Sequence, residues 1–106
     1  MKRIVPRKAA ERDIDEVADY YADEADEDLA HDFVEAVREA YRAIGEHPGA
    51  GSPRYAELLG TEGLRNRKLH RFPYLIFYIE RADHIDVWRI LHAQRDIPAS
   101  LSATSP

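Results

Sequence analysis

The feature that most constrains this chain is a change in the spacing of its apolar residues across a segment rich in glycine and proline. Before residue 48 they recur at helical intervals, and after residue 63 they fall into short strand-like runs. The first helical stripe is Ala10, Ile14, Val17, Ala18 and Tyr21, with Glu11, Asp15, Glu16 and Asp19 outside it. The second is Leu29, Phe33, Val37, Ala40, Tyr41 and Ile44, and it stops at His47-Pro48-Gly49, which cannot continue a helix. Between them Asp23-Glu24-Ala25-Asp26-Glu27-Asp28 offers no apolar anchor, so the chain turns there and leaves its later acids at a helix N-terminus. Two such helices with a tight connection form an antiparallel hairpin.

Pro48, Gly49, Gly51, Pro53, Gly60 and Gly63 make residues 48 to 63 an ordered loop at best. Residues 64–72, 74–81 and 84–91 read as three strands, separated by Pro73 and by the turn Ala82-Asp83. They suit an antiparallel meander. Residues 2–5, stopped by Pro6, read as a strand at a sheet edge. In the last run Ile85, Val87, Arg89 and Leu91 share one face, and Asp86, Trp88, Ile90 and His92 the other. Both faces are partly apolar, which places this strand centrally. The expected fold is α+β: an N-terminal strand, then a helical hairpin packed on one face of a small antiparallel sheet of three further strands. Residues 1–97 form one domain, and residues 98–106 are a small-residue tail expected to fray.

A chain of 106 residues buries roughly 65% of its unfolded surface on folding, enough for a core without staples. It has no cysteine, which excludes disulfide frameworks and thiolate metal sites and fits a cytoplasmic setting. No apolar window approaches the length a bilayer requires. The net charge is −5, with 7 Lys/Arg against 14 Asp/Glu in residues 1 to 47 and 8 against 6 in residues 48 to 106. The acidic first half argues against non-specific wrapping of nucleic acid, and no direct sequence-specific contact with it is expected. A binding site for an acidic partner belongs in the second half.

Residues 64–71 hold four permanent cations, Arg65, Arg67, Lys68 and Arg71. They fit either an edge strand blunted by charge or a surface for an acidic protein segment or phosphate backbone. His92, Arg89 and Arg95 cluster where the last strand ends. RNA cleavage would need a base, an acid and a cation at the phosphorane, and His92, Arg89 and Lys68 could nominally supply them. The alternative is a histidine tying the strand end and an arginine paired with Asp96 or Asp86. His31, His47, His70 and His84 share no ligand spacing, so no metal site or other cofactor is assigned. Trp88, Phe77, Tyr78 and Phe72 read as core or sheet-face aromatics.

The run Ala10-Glu11-Arg12-Asp13-Ile14-Asp15-Glu16-Val17-Ala18-Asp19-Tyr20-Tyr21, the helix ending Ile44-Gly45-Glu46-His47-Pro48 and the closing Leu91-His92-Ala93-Gln94-Arg95-Asp96 resemble the ParE branch of the ParE/RelE toxin superfamily. The likeness extends from residue 1 to about 97 in the right order. It implies the toxin of a type II toxin–antitoxin pair, neutralised by a ParD-type antitoxin whose disordered segment folds across it. The resemblance further implies inhibition of DNA gyrase by binding, with no catalytic residue. Contacts to antitoxin or target are then expected from Arg65, Arg67, Lys68, Arg71, Trp88 and Arg95. The alternative within the superfamily is a RelE-like ribosome-dependent mRNA endoribonuclease. Two features depart from that branch: no tyrosine follows Tyr78, and Lys68 is the only lysine after Lys8.

Overall fold

A computed structural model describes residues 1–102 of the chain. Strand β1 (Arg3–Pro6) leads into helices α1 (Lys8–Glu24) and α2 (Glu27–Glu46), followed by a 3₁₀ turn at Pro48–Ala50 and helix α3 (Arg54–Leu59). Strands β2 (Leu64–Lys68), β3 (Tyr74–Glu80) and β4 (His84–His92) come next, and helix α4 (Ile97–Ser102) closes the described chain.

The hairpin turns where the acidic run predicts it. Asp26 caps α2 by accepting a hydrogen bond from the Leu29 N–H at 2.8 Å, and Glu27 and Asp28 sit in the first turn beside the helix's positive end. Such a cap contributes about 1 kcal/mol. At the other end Gly45 is needed for close approach: a Cβ there would lie 2.8 Å from the carbonyl oxygen of Lys2.

The sheet order is β1-β4-β3-β2, so β4 is central and the proline-bearing β1 and the cationic β2 are the edges. β2, β3 and β4 are antiparallel, as expected, but β1 runs parallel to β4, pairing Ile4 with Ile85, and the sheet is therefore mixed. β2 ends at Lys68 rather than continuing to residue 72. There the Leu69 N–H bonds the carbonyl of Tyr74 at 2.9 Å, closing a reversal that holds Arg71 at a φ of 75°. A non-glycine residue in that region is uncommon and strained.

Both faces of the sheet are covered, not one. The hairpin packs Ala10, Phe33, Val37, Ala40 and Ile44 against Ile76, Tyr78, Ile85, Val87 and Ile90. On the opposite face Leu64, Phe77, Ile79, Trp88 and Leu91 are covered by Ile97 and Leu101 of α4, with Tyr55 and Leu59 of α3. The segment expected to be a loop thus supplies α3, and the expected tail is helical through Ser102 with Leu101 only 3% exposed. Residues 103–106 of that tail lie outside the described residues. The face assignment along β4 also changes. Opposite Phe77 and Tyr78 the partners are Arg89 and Val87, which leaves Trp88 as an inserted bulge residue. The bulge reverses the alternation, so Ile85 and Val87 face the hairpin while Leu91 faces α4.

Candidate functional site

The edge strand β2 owes its position to pairing with β3, which sets Arg65 and Arg67 opposite Tyr78 and Ile76, and Lys68 opposite Leu75. Arg65 turns inward far enough to donate to the carbonyl of Gly51 at 2.7 Å. The middle of the edge is closed by a two-bond bridge between Ser52 and Asn66, at 2.9 and 3.0 Å. Toward Lys68 the edge instead borders a groove of about 360 Å³, lined by Ala36, Glu39 and Ala40 of α2 and by Arg67, Lys68, Leu69 and His70. Two alanines one helical turn apart leave the space that larger side chains would fill. The groove continues into a shallower depression bounded by Asp32, Glu35, Arg71 and Phe72. One wall is therefore acidic and the other basic, and Arg71 closes the far end through a 3.2 Å ion pair to Asp32.

The residues proposed for chemistry do not converge. Arg89 pairs with neither Asp96 nor Asp86. It makes a two-point contact with Asp13 of α1, Nε to Oδ2 at 2.7 Å and NH2 to Oδ1 at 2.9 Å. The same carboxylate accepts the Ile90 N–H at 2.9 Å. The bond to Asp13 raises the Arg89 pKa, outweighing burial, so the guanidinium is held charged and oriented toward the helix. His92 pairs with Tyr74, whose ring packs on the hairpin side, and Lys68 pairs with Leu75, which packs on the α4 side. Strand β3 therefore lies between Lys68 on β2 and His92 on β4, and Lys68 borders the groove beside α2. The Nδ1 of His92 accepts the Gln94 N–H at 3.1 Å, so the neutral ring carries its proton on Nε2.

Trp88, expected at a contact surface, is instead 4% exposed. Its indole N–H donates to Asp86 at 3.3 Å, and the Arg7 guanidinium lies 4.5 Å above its ring. Asp86 also receives two bonds from Arg7 at 2.9 Å and two from Arg81 at 3.2 and 2.9 Å. Burial pushes its carboxyl pKa up, but these bonds outweigh burial and hold it below the ordinary value. Sequence reading named Asp86 only as a partner for a strand-end arginine and missed Asp13. Asp13 had a signal, since it falls on the apolar stripe between Ala10 and Val17, where an acid needs a partner.

A second feature absent from the sequence reading is an aromatic end. Tyr20 and Tyr21 lie edge to face at 5.5 Å, Tyr21 stacks 5.4 Å from Phe72, and Tyr74 meets His92 at 5.2 Å. Phe33 links Tyr21 to Tyr74, lying 5.8 Å from the first and 5.6 Å from the second. Arg95, exposed, lies close enough to act on the Tyr74 hydroxyl electrostatically. Tyr20 is 57% exposed, and it falls off the apolar stripe of its helix.

Among the described residues no three His, Cys, Asp or Glu groups gather as metal ligands, and no helix is long and apolar enough to cross a membrane.

No curated relative matches the chain. Among solved structures it is similar to a chain described as "Chromosomal ParDE TA system from P. aeruginosa", with a TM-score of 0.73 and 22% sequence identity. That match covers 87% of this chain and 96% of the other, and at this identity it speaks to the fold. The family model for the ParE toxin of the parDE type II toxin–antitoxin system matches residues 4–97. With nearly the whole described chain inside that match, the protein belongs to the ParE toxin family.

Proposed function

We propose that this toxin disables DNA gyrase by binding it, without catalysing a reaction, and that a ParD-type antitoxin neutralises it in the cytoplasm. The observation that carries the non-catalytic reading is the bond between Arg89 and Asp13. It commits to structure the cation best placed at the end of the central strand. With β3 between Lys68 and His92, the three residues named for cleavage do not gather as base, acid and cation around one point.

The groove between α2 and β2 suits an antitoxin segment. Its alanine floor accepts apolar side chains, Arg67 and Lys68 offer charge to an acidic strand or helix, and Glu35 and Glu39 bind the segment's own cations. Arg71 extends the basic side toward the aromatic end. Trp88, buried on the sheet's other face with Ile97 and Leu101, lies outside this groove.

The test adds purified toxin, wild type and His92→Gln, to gyrase supercoiling of plasmid DNA and to mRNA on programmed ribosomes. Supercoiling inhibited equally by both proteins is the expected result. Ribosome-dependent cleavage that disappears with His92→Gln would replace this reading with a RelE-like endoribonuclease.

A further inference from the structure

The aromatic end is built for contact, yet the packing of the domain does not account for it. Tyr20 leaves more than half its surface in water, while Tyr21, one position along the helix, packs against the core. The Tyr20 ring continues into a chain of rings through Tyr21, Phe33 and Tyr74 to His92, while Arg71 stacks 5.2 Å over Phe72 and the Arg95 N–H bonds the His92 carbonyl at 3.0 Å. Tyrosine and arginine on a rigid base are the composition of interface hot spots, because large rings bury much area at little cost in side-chain entropy. The base is rigid here: Tyr21, Phe33, Phe72 and Tyr74 interlock with centroids 5.4 to 5.8 Å apart.

The charges around it select the class of partner. On one side stand Arg71 and Arg95, and His92 keeps Nε2–H as a donor because Nδ1 is already occupied. On the other lies the acidic tip of the hairpin, Asp19, Asp23 and Glu24, all exposed. A phosphate backbone laid along this end would meet those carboxylates, whereas a protein surface can match both signs.

We infer that the end formed by Tyr20, Tyr74, His92 and Arg95 is the surface with which the free toxin grips its protein target, through a segment presenting a carboxylate to Arg95. This rests on the binding-inhibitor reading above and adds where on the toxin the target is held. It also supplies a route to neutralisation. The depression at Asp32, Arg71 and Phe72 brings the α2–β2 groove to the border of this end, so an antitoxin segment held in the groove would stand beside the target surface and keep the target off it.

The experiment compares Tyr20→Ala and Arg95→Glu with wild type in three readouts: antitoxin affinity with melting temperature, gyrase supercoiling, and growth arrest on induction without antitoxin. Both positions are exposed, so unchanged melting is expected. Inhibition and arrest should weaken about tenfold or more, with antitoxin affinity within about threefold of wild type. Tyr20→Phe should keep most of the activity. Full toxicity in both variants, or antitoxin binding lost in step with toxicity, overturns the inference. So does a single-stranded oligonucleotide that binds wild type and is released by Tyr20→Ala. If wild type leaves gyrase untouched, the proposed target fails, and growth arrest alone then judges the surface. Arrest lost in the variants upholds it, arrest retained overturns it, and a wild type causing no arrest overturns both.

Discussion

Asp13 on the first helix and Arg89 on the central strand, 76 residues apart in sequence, meet through two hydrogen-bonded contacts of 2.7 and 2.9 Å with little of either side chain exposed. With the Ile90 N–H as a third donor, the carboxylate fixes how the hairpin sits on the sheet. Removing one member strands the other's charge in a largely dry position. Asp13→Ala is therefore expected to cost about 3 kcal/mol. In a domain of this size that lowers Tm by roughly 15 °C. Asp13→Leu combined with Arg89→Met should recover part of the loss, because an apolar pair of similar volume leaves no stranded charge and only the Ile90 N–H lacks its acceptor. Thermal melts of the three proteins check this, and a double variant no better than Asp13→Ala would refute it.

Asp86 makes a prediction about acid. Its pKa is depressed from an ordinary 3.8 in the folded state, so its contribution to stability is complete above that value and is lost as pH falls through the lowered folded value. Asp86→Asn should be less stable at neutral pH. It should also show a shallower decline of stability than wild type below about pH 4. Denaturant midpoints measured from pH 7 down to pH 2 decide it; parallel curves would mean that Arg7 and Arg81 do not act through this carboxylate.

The hairpin, the stop at Pro48, the starts of the last two strands and the central place of β4 were legible because each rests on local period or on a proline. Three things were not. The inserted residue Trp88 depends on how β3 and β4 register across a turn, which alternation within one strand does not record. Helices α3 and α4, six residues each, are too short to display an apolar period, and their anchors Tyr55, Leu59, Ile97 and Leu101 look like isolated apolar residues among glycines, prolines and serines. The partner of Arg89 and the guanidinium over Trp88 come from distant segments, so the cations at the strand end could be named but their commitments could not. Tyr20 was visible as a tyrosine off the stripe, and only its neighbours in space give it meaning.

Leu101 tests the reassigned tail. It is 3% exposed and, with Ile97, shields Trp88 and Phe77 on the sheet's second face. A buried leucine cut to alanine costs about 2 to 5 kcal/mol. Placement at the end of the chain, where the helix can shift to fill the gap, puts Leu101→Ala near the lower bound. Urea unfolding followed by Trp88 fluorescence reports both the stability and the wetting of that face. An unchanged midpoint would return residues beyond 97 to the status of a loose tail.

Gly51 and Tyr78 predict a coupled pair. The Tyr78 hydroxyl crosses the core to donate to the Pro48 carbonyl at 2.6 Å, and a Cβ on Gly51 would collide with that hydroxyl. Gly51→Ala should cost about 1 to 3 kcal/mol through overpacking. Tyr78→Phe should cost about 1 kcal/mol through the lost bond. The double variant should lose less than the sum, since phenylalanine removes the closest atom to the new methyl group. A double-mutant cycle from chemical denaturation measures the coupling, and strict additivity would show that the loop moves aside on its own.

Lys68 separates binding of antitoxin from binding of target. It is exposed on the groove-facing stretch of the sheet edge, away from the aromatic end, and no ion pair holds it among the described residues. Lys68→Glu reverses a charge at the rim of the groove, where complementary potentials speed encounter more than they deepen affinity. The variant should therefore bind antitoxin with a slower association rate, by about tenfold at low salt. Above roughly 0.5 M salt the difference should shrink as the Debye length falls to a few ångströms. Toxicity without antitoxin should stay at the wild-type level, because the contact with the target lies elsewhere. Association rates by surface-based binding at two salt concentrations, with growth arrest in parallel, check both halves. A salt-independent defect would place Lys68 in a packed contact instead of an electrostatic one, and a loss of toxicity would join the two surfaces that the groove and the aromatic end keep apart.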